Sequence, residues 1–163
     1  MKNTIILLTM LLFSGIGFAQ ESNNGKQLWA KSFLNEKAPE LTVETWISKK
    51  PDTEGKFVII DFWATWCGPC RKAIPELNEI AKEFSKDVVV IGISDEPVEK
   101  IKAMKEPVIE YYYGVDTKKT MDKGIPHVII IDPKGIVRWE GFPLLENHKL
   151  TPEVVKNLIE KYK

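Results

Sequence analysis

Cys67 and Cys70 are the only two cysteines in the chain, and Gly68 and Pro69 stand between them. A pair at this spacing can cycle between dithiol and disulfide, act as a structural staple, or supply half of a metal site. The staple reading is weak, because a bridge closing so short a loop excludes few unfolded conformations. Zinc takes about four ligands, and the chain adds only His127 and His148, distant in sequence and outside any zinc-finger spacing. An apolar run precedes the pair and a helical pattern follows it. That context predicts both sulfurs at a helix N-terminus, where backbone amides and the helix dipole favour a thiolate. The motif therefore marks a candidate dithiol enzyme.

The elements that must position the pair can be read on either side of it. Phe57 to Phe62 is a near-continuous apolar run, predicted as a buried central strand. Within it Asp61 is a carboxyl in apolar surroundings, where desolvation raises the pKa. Cys70 to Phe84 is predicted as a helix with Ile74, Leu77, Ile80, Ala81 and Phe84 on one face. Pro69 suits the first helical turn and Pro75 kinks the interior.

Further along, Leu41 to Ile47 alternates as a strand, and Asp87 to Ile93 reads as a second buried strand. Asp95-Glu96-Pro97 opens a short helix to about Lys105. Ile109 to Val115, with Tyr111, Tyr112 and Tyr113, is predicted as a short strand whose tyrosines pack, a contact surface being the alternative. Thr117 to Met121 is expected to form one helical turn. His127 to Ile131 is a third apolar strand, joined through Asp132-Pro133-Lys134-Gly135 to Ile136–Glu140 in a hairpin. Thr151-Pro152 starts a last helix with Val154, Val155, Leu158, Ile159 and Tyr162 inward. Strands alternating with helices, then a hairpin and a helix, predict an α/β domain with a central mixed sheet flanked by helices.

The chain carries 23 basic and 23 acidic residues, 44% hydrophobic and 28% charged, which are ordinary globular values for one domain. No basic stripe points to nucleic acid, and no glycine-rich phosphate loop follows a strand. Lys2, the apolar run Ile5 to Phe18 and the small residues of Gly17-Phe18-Ala19 predict a signal peptide, 1–19, cleaved after Ala19. An uncleaved membrane anchor is the alternative, although the run is shorter than the ~20 residues a spanning helix needs. Residues 20–35 are then expected as a flexible mature N-terminus, and 36–163 as the folded domain.

Asp61-Phe62-Trp63-Ala64, Trp66-Cys67-Gly68-Pro69-Cys70, Pro75, and Gly124-Ile125-Pro126 before an apolar strand together resemble thioredoxin. The longer segment before Gly124, the N-terminal signal, and Ala38-Pro39-Glu40-Leu41 ahead of the first strand are similar to the TlpA-like branch of exported bacterial proteins. The resemblance covers about Glu36 to Tyr162. It implies a thioredoxin-like fold with a TlpA-like insertion before a cis-proline loop at Pro126. Two positions depart from the TlpA-like proteins of cytochrome c maturation. Ala73 stands where many carry glutamate, and Gly68-Pro69 replaces a pair that often includes an acidic residue.

Cys67, partly exposed at the helix start, is the expected nucleophile, and Cys70, one turn in and more buried, the resolving thiol. By resemblance Asp61 is the general acid/base for Cys70. Trp66, Gly68 and Pro69 form the substrate face, while Trp63 packs. Pro126 aims the Ile125 backbone at an extended substrate. His127 either touches the dithiol or is a hydrogen-bonded residue at a strand start. The resemblance implies no cofactor beyond the redox-active Cys67–Cys70 disulfide and no metal. It implies a monomer in the periplasm or cell envelope, acting on disulfide-containing envelope proteins and recharged by a membrane or envelope dithiol electron donor. The Gly-Pro pair favours a reducing enzyme nearer thioredoxin's ~−270 mV than the ~−120 mV of a strong oxidant. A thiol peroxidase of the peroxiredoxin kind and a copper-delivery protein of the Sco type are the rivals. The latter needs a three-residue gap between cysteines and a histidine ligand, for which His127 is the candidate.

Overall fold

A computed structural model describes residues 31–117 and 124–163. The predicted signal peptide, most of the expected mature start and the expected turn at Thr117 to Met121 beyond Thr117 itself lie outside the described residues. No described helix is long and apolar enough to cross a membrane.

The apolar run read as a buried central strand is central, and the second buried run lies beside it. β2 (Phe57–Phe62) pairs in parallel with β3 (Val88–Ser94), Asp61 lying opposite Gly92. On its other side β2 pairs antiparallel with β5 (His127–Ile131), Phe62 opposite His127. β6 (Val137–Gly141) continues antiparallel from β5, and β4 (Tyr112–Val115) lies parallel to β3. β1 (Thr45–Trp46) closes the far edge, so the sheet runs β1-β4-β3-β2-β5-β6. This is the central mixed sheet that the alternation of strands and helices predicts, in the thioredoxin-like fold that the resemblance implies.

Strand parity divides the core. Ile59, Trp63, Val88, Val90, Val128 and Ile130 meet Cys67, Cys70, Ile74, Leu77 and Ile80 on the face covered by α1 (Gly68–Glu83). α3 (Pro152–Tyr162) adds Val155, with Val154, Leu158, Ile159 and Tyr162 packing half-buried. The opposite face holds Ile60, Phe62, Val89, Ile91, Ile93, Ile129 and Ile131, packed by Phe33, Leu41, Val43 and Trp46.

Several boundaries differ from expectation for local reasons. α1 begins two residues before the predicted start because Cys67 caps it. The strand expected over Leu41 to Ile47 contracts to Thr45–Trp46, since short β4 offers it only Gly114 and Val115 as partners. Gly114 is needed there: a Cβ would stand 2.6 Å from the Thr45 carbonyl oxygen. α2 (Val98–Ala103) stops earlier than expected, Met104 turning extended ahead of a cis Glu106–Pro107 bond. The residue before a proline is pushed out of the helical region, so the helix could not have continued through Glu106. Of the expected flexible start, the described residues 31–35 lie against β6. Ser32 and the Phe33 N–H donate to the Glu140 carboxylate, and the Asn35 N–H to the Val137 carbonyl.

Candidate active site

Cys67 is the N-cap of α1, with extended backbone at φ −82° and ψ 99°, and its Sγ accepts the Cys70 N–H at 3.2 Å. The two sulfurs are joined in a disulfide, with the Cα atoms 5.3 Å apart. Proline at the second helical position costs no intrahelical bond. Gly68 and Pro69 are exposed, and Trp66 beside them is 68% exposed, a large apolar ring left in solvent. Cys70 is fully buried. Cys67, expected to be partly exposed, is only 4% exposed, because its sulfur turns inward to Cys70. Pro75 lies inside α1, exposed on its outer face.

The Ile125–Pro126 bond is cis, Ile125 half-buried and Pro126 buried. Because His127 pairs with Phe62, this loop sits at the end of the sheet from which β2 runs into Ala64 and Cys67. His127 does not touch the dithiol; it is the first residue of β5. It shares the face of Phe62, whose ring lies 6.3 Å away, opposite the face that carries the dithiol. Its Nε2 has no hydrogen-bond partner among the described residues. Burial pushes its pKa below the usual histidine value, against the pull of the Glu140 charge. Trp63 is buried packing, as read from the sequence.

Asp61 is wholly buried on the α1 face of β2, between Ile59 and Trp63. Burial raises its pKa to about 7, partly opposed by a hydrogen bond from Tyr111. The Tyr111 hydroxyl donates to Oδ2 at 2.9 Å, while Oδ1 has no partner among the described residues.

Tyr111 was expected simply to pack, and Glu96 simply to open a helix; both hold the site. The Glu96 carboxylate accepts from the Thr65 N–H at 2.5 Å, the Thr65 hydroxyl at 2.9 Å and Lys100 Nζ at 2.5 Å. Burial pushes the Glu96 pKa up, but the Lys100 and Thr65 bonds outweigh it and hold the carboxyl below its ordinary value. The loop between β2 and the cysteines is thus tied to the end of β3. On the far side of α1, Arg71 donates to the Glu106 carbonyl, and Asn78 brackets Val108 and Glu110. The available sequence signal was Gly92: an isolated glycine in a buried strand marks a close approach, and its cross-strand neighbour is Asp61.

The AhpC/TSA family matches residues 34–140. A thioredoxin of Streptomyces clavuligerus is 33% identical over 86 residues, spanning 51% of this chain and 80% of its own. The thiol:disulfide interchange protein DsbE of Escherichia coli is 32% identical over 116 residues, 68% of this chain and 62% of its own. In structure, the thioredoxin domain of a Bacteroides vulgatus thiol-disulfide oxidoreductase superposes with a TM-score of 0.65 at 23% identity, over 79% of this chain and 99% of that domain. A disulfide-forming pair at a helix N-terminus on this sheet, with these relatives, makes the chain a thiol–disulfide oxidoreductase belonging to the AhpC/TSA family within the thioredoxin superfamily.

Proposed function

We propose that the protein is an exported reductase of protein disulfides. The observation that carries the reading is the dithiol's placement: Cys67 caps α1 while Cys70 is sealed beneath it. In the reduced state the Cys67 thiolate, favoured by the unsatisfied amides of the first turn, attacks a substrate disulfide. One substrate sulfur leaves as thiolate and a mixed disulfide forms. Cys70 then attacks the Cys67 sulfur, the Cys67–Cys70 bond forms, and the second substrate thiolate departs. Asp61 is the base for the Cys70 proton, its buried carboxyl having a pKa of about 7 suited to proton exchange near neutrality.

Exposed Trp66, Gly68 and Pro69, with Ile125 and Pro126 at the same end of the sheet, form the surface that receives an extended substrate segment. Trp66 supplies apolar area, and the Ile125 backbone supplies strand-like hydrogen bonds. The chain acts as a monomer on disulfide-bearing envelope proteins, and a membrane or envelope dithiol returns its electrons. The signal-like stretch Lys2 to Ala19 supports export. Gly68-Pro69 supports the reducing direction, by likeness to thioredoxin.

The test combines insulin reduction, the Cys67–Cys70 potential, and capture of partners by Cys70→Ser. Expected are turnover, a potential near roughly −270 mV, and mixed disulfides at Cys67. A protein that neither reduces insulin nor captures any partner overturns the reading. A potential near that of a strong oxidant reverses the direction. The AhpC/TSA match favours one second reading, peroxide reduction at Cys67. There the Cys67 thiolate attacks one peroxide oxygen, the O–O bond breaks and water or an alcohol leaves, and Cys70 then condenses with the resulting sulfenic acid, forming the Cys67–Cys70 bond and releasing water. Peroxide consumption that outpaces insulin reduction would select it.

A further inference from the structure

Asp61 offers two oxygens, and the fold treats them differently. Oδ2 is held by the Tyr111 hydroxyl at 2.9 Å, and Oδ1 is the buried oxygen without a partner among the described residues. Tyr111 comes from the segment that leads into β4, two strands away in the sheet. It reaches Asp61 across Gly92, the residue of β3 paired with Asp61. A Cβ on Gly92 would stand 3.1 Å from Tyr111 Cε2 and 3.0 Å from Trp63 Nε1, tighter than ordinary contact. The missing side chain is what lets the phenol lie over the strand and meet the carboxyl.

We propose that Tyr111 is a positioning residue for the resolving step: it pins Oδ2 and so presents Oδ1 as the oxygen that takes the Cys70 proton. This rests on the disulfide-reductase reading above. The Cys70 S–H gives its proton to Oδ1, and the Cys70 thiolate attacks the Cys67 sulfur of the mixed disulfide. The Cys67–Cys70 bond forms as the Cys67–substrate bond breaks, and the departing substrate thiolate takes a proton from the protonated Asp61 or from solvent.

The surroundings leave Asp61 little else to answer to. β3 faces it with Gly92 and β5 with Val128. The buried residues of α1 are Cys70, Ala73, Ile74, Leu77 and Ile80, and that of α3 is Val155, so among the described residues the buried titratable groups in the core of this face are the two cysteines and Tyr111, with Tyr113 and Tyr162 packing half-buried against it. Burial, reinforced by the nearby Asp61 charge and the bond to it, drives the Tyr111 pKa well above its usual value, so the phenol remains a donor throughout the working range.

The test is Tyr111→Phe, which deletes one buried oxygen. A hydrogen bond that favours the carboxylate is lost, so the Asp61 midpoint rises, by about one pH unit for a bond of ordinary strength. It is read by carbon-13 NMR of the labelled carboxyl in the oxidised protein. The pH profile of insulin reduction moves by the same amount, and Asp61→Asn combined with Tyr111→Phe is no slower than Asp61→Asn alone. Tyr111→3-fluorotyrosine, a stronger donor of nearly the same shape, moves the midpoint the opposite way and keeps the proposal testable if Tyr111→Phe folds poorly. A fixed midpoint, or a rate loss equal at every pH, reduces Tyr111 to packing and overturns the proposal. If the unmodified protein reduces no disulfide, the functional reading fails and the resolving role with it, even where the midpoint moves. If turnover is present and the midpoint stays, the role of Tyr111 alone is refuted.

Discussion

Replacing Asp61 by asparagine keeps the shape and an acceptor for Tyr111 but removes the charge. The unfolded chain ionises this carboxyl near 3.8, the folded protein near 7, and burial is the main cause. The folded state therefore holds a proton that the unfolded chain has released over the interval between those values. Stability is unaffected by Asp61 below the lower value, declines as pH rises across the interval, and levels off above the upper one. A span of about 3 pH units at about 1.4 kcal/mol each gives a penalty of about 4 kcal/mol at most, a large part of a small domain's stability. Asp61→Asn is thus expected to be nearly neutral at pH 4 and more stable than the parent above pH 8, by up to that amount. Urea unfolding of both oxidised proteins across pH 4–9 measures the difference, with slopes compared to check that the denatured states match. A difference that stays constant with pH would refute the reasoning, because it would mean that the buried carboxyl is not destabilised by its charge. The same substitution is expected to slow resolution, so stability and turnover move in opposite directions.

Glu96→Ala removes the acceptor for both Thr65 donors and for Lys100; a loss of about 2 kcal/mol is expected by denaturant titration. The Glu96 pKa is held down in the folded state, so the parent's advantage over the variant is full above the unfolded value and fades as pH falls through the folded one. Asp132→Ala strips the hairpin of the carboxylate that accepts from Lys134 N–H, Ile136 N–H and Arg138 Nε. A loss of about 2–3 kcal/mol is expected, with faster amide exchange in β6 as the local readout. Thr151→Ala removes the side-chain cap on the Val154 N–H and is expected to cost about 1 kcal/mol, without effect on insulin reduction.

The dithiol, Pro69 at the helix start and the apolar strands were legible because each rests on local grammar, whereas the cis bond before Pro126 was legible only through the resemblance. A run of apolar residues, a proline at a helix start and a two-residue cysteine gap need no knowledge of distant chain. Tyr111 and Glu96 were not legible, because their partners Asp61 and Thr65 are 50 and 31 residues away. Three consecutive tyrosines read alike in sequence, but Tyr111 and Tyr113 lie on the α1 face and Tyr112 on the other, and of the three Tyr111 is the one fully buried. His127 failed for the opposite reason. Its closeness in sequence to Pro126 suggested closeness to the sulfurs, whereas pairing with Phe62 turns it to the other side of the sheet. The contraction of β1 depended on how few residues β4 could offer it.

The two borders of the sheet bear on how the protein stays apart from other chains. A long bare border is a template on which an unpaired strand of any other chain can add. Here one border ends in a two-residue strand. The other is screened: the Asn35 N–H bonds to the Val137 carbonyl, the Val137 N–H to the Glu36 carbonyl, and Lys37 bridges to Ile136. Both borders are thus blunted against the addition of a further strand from another chain.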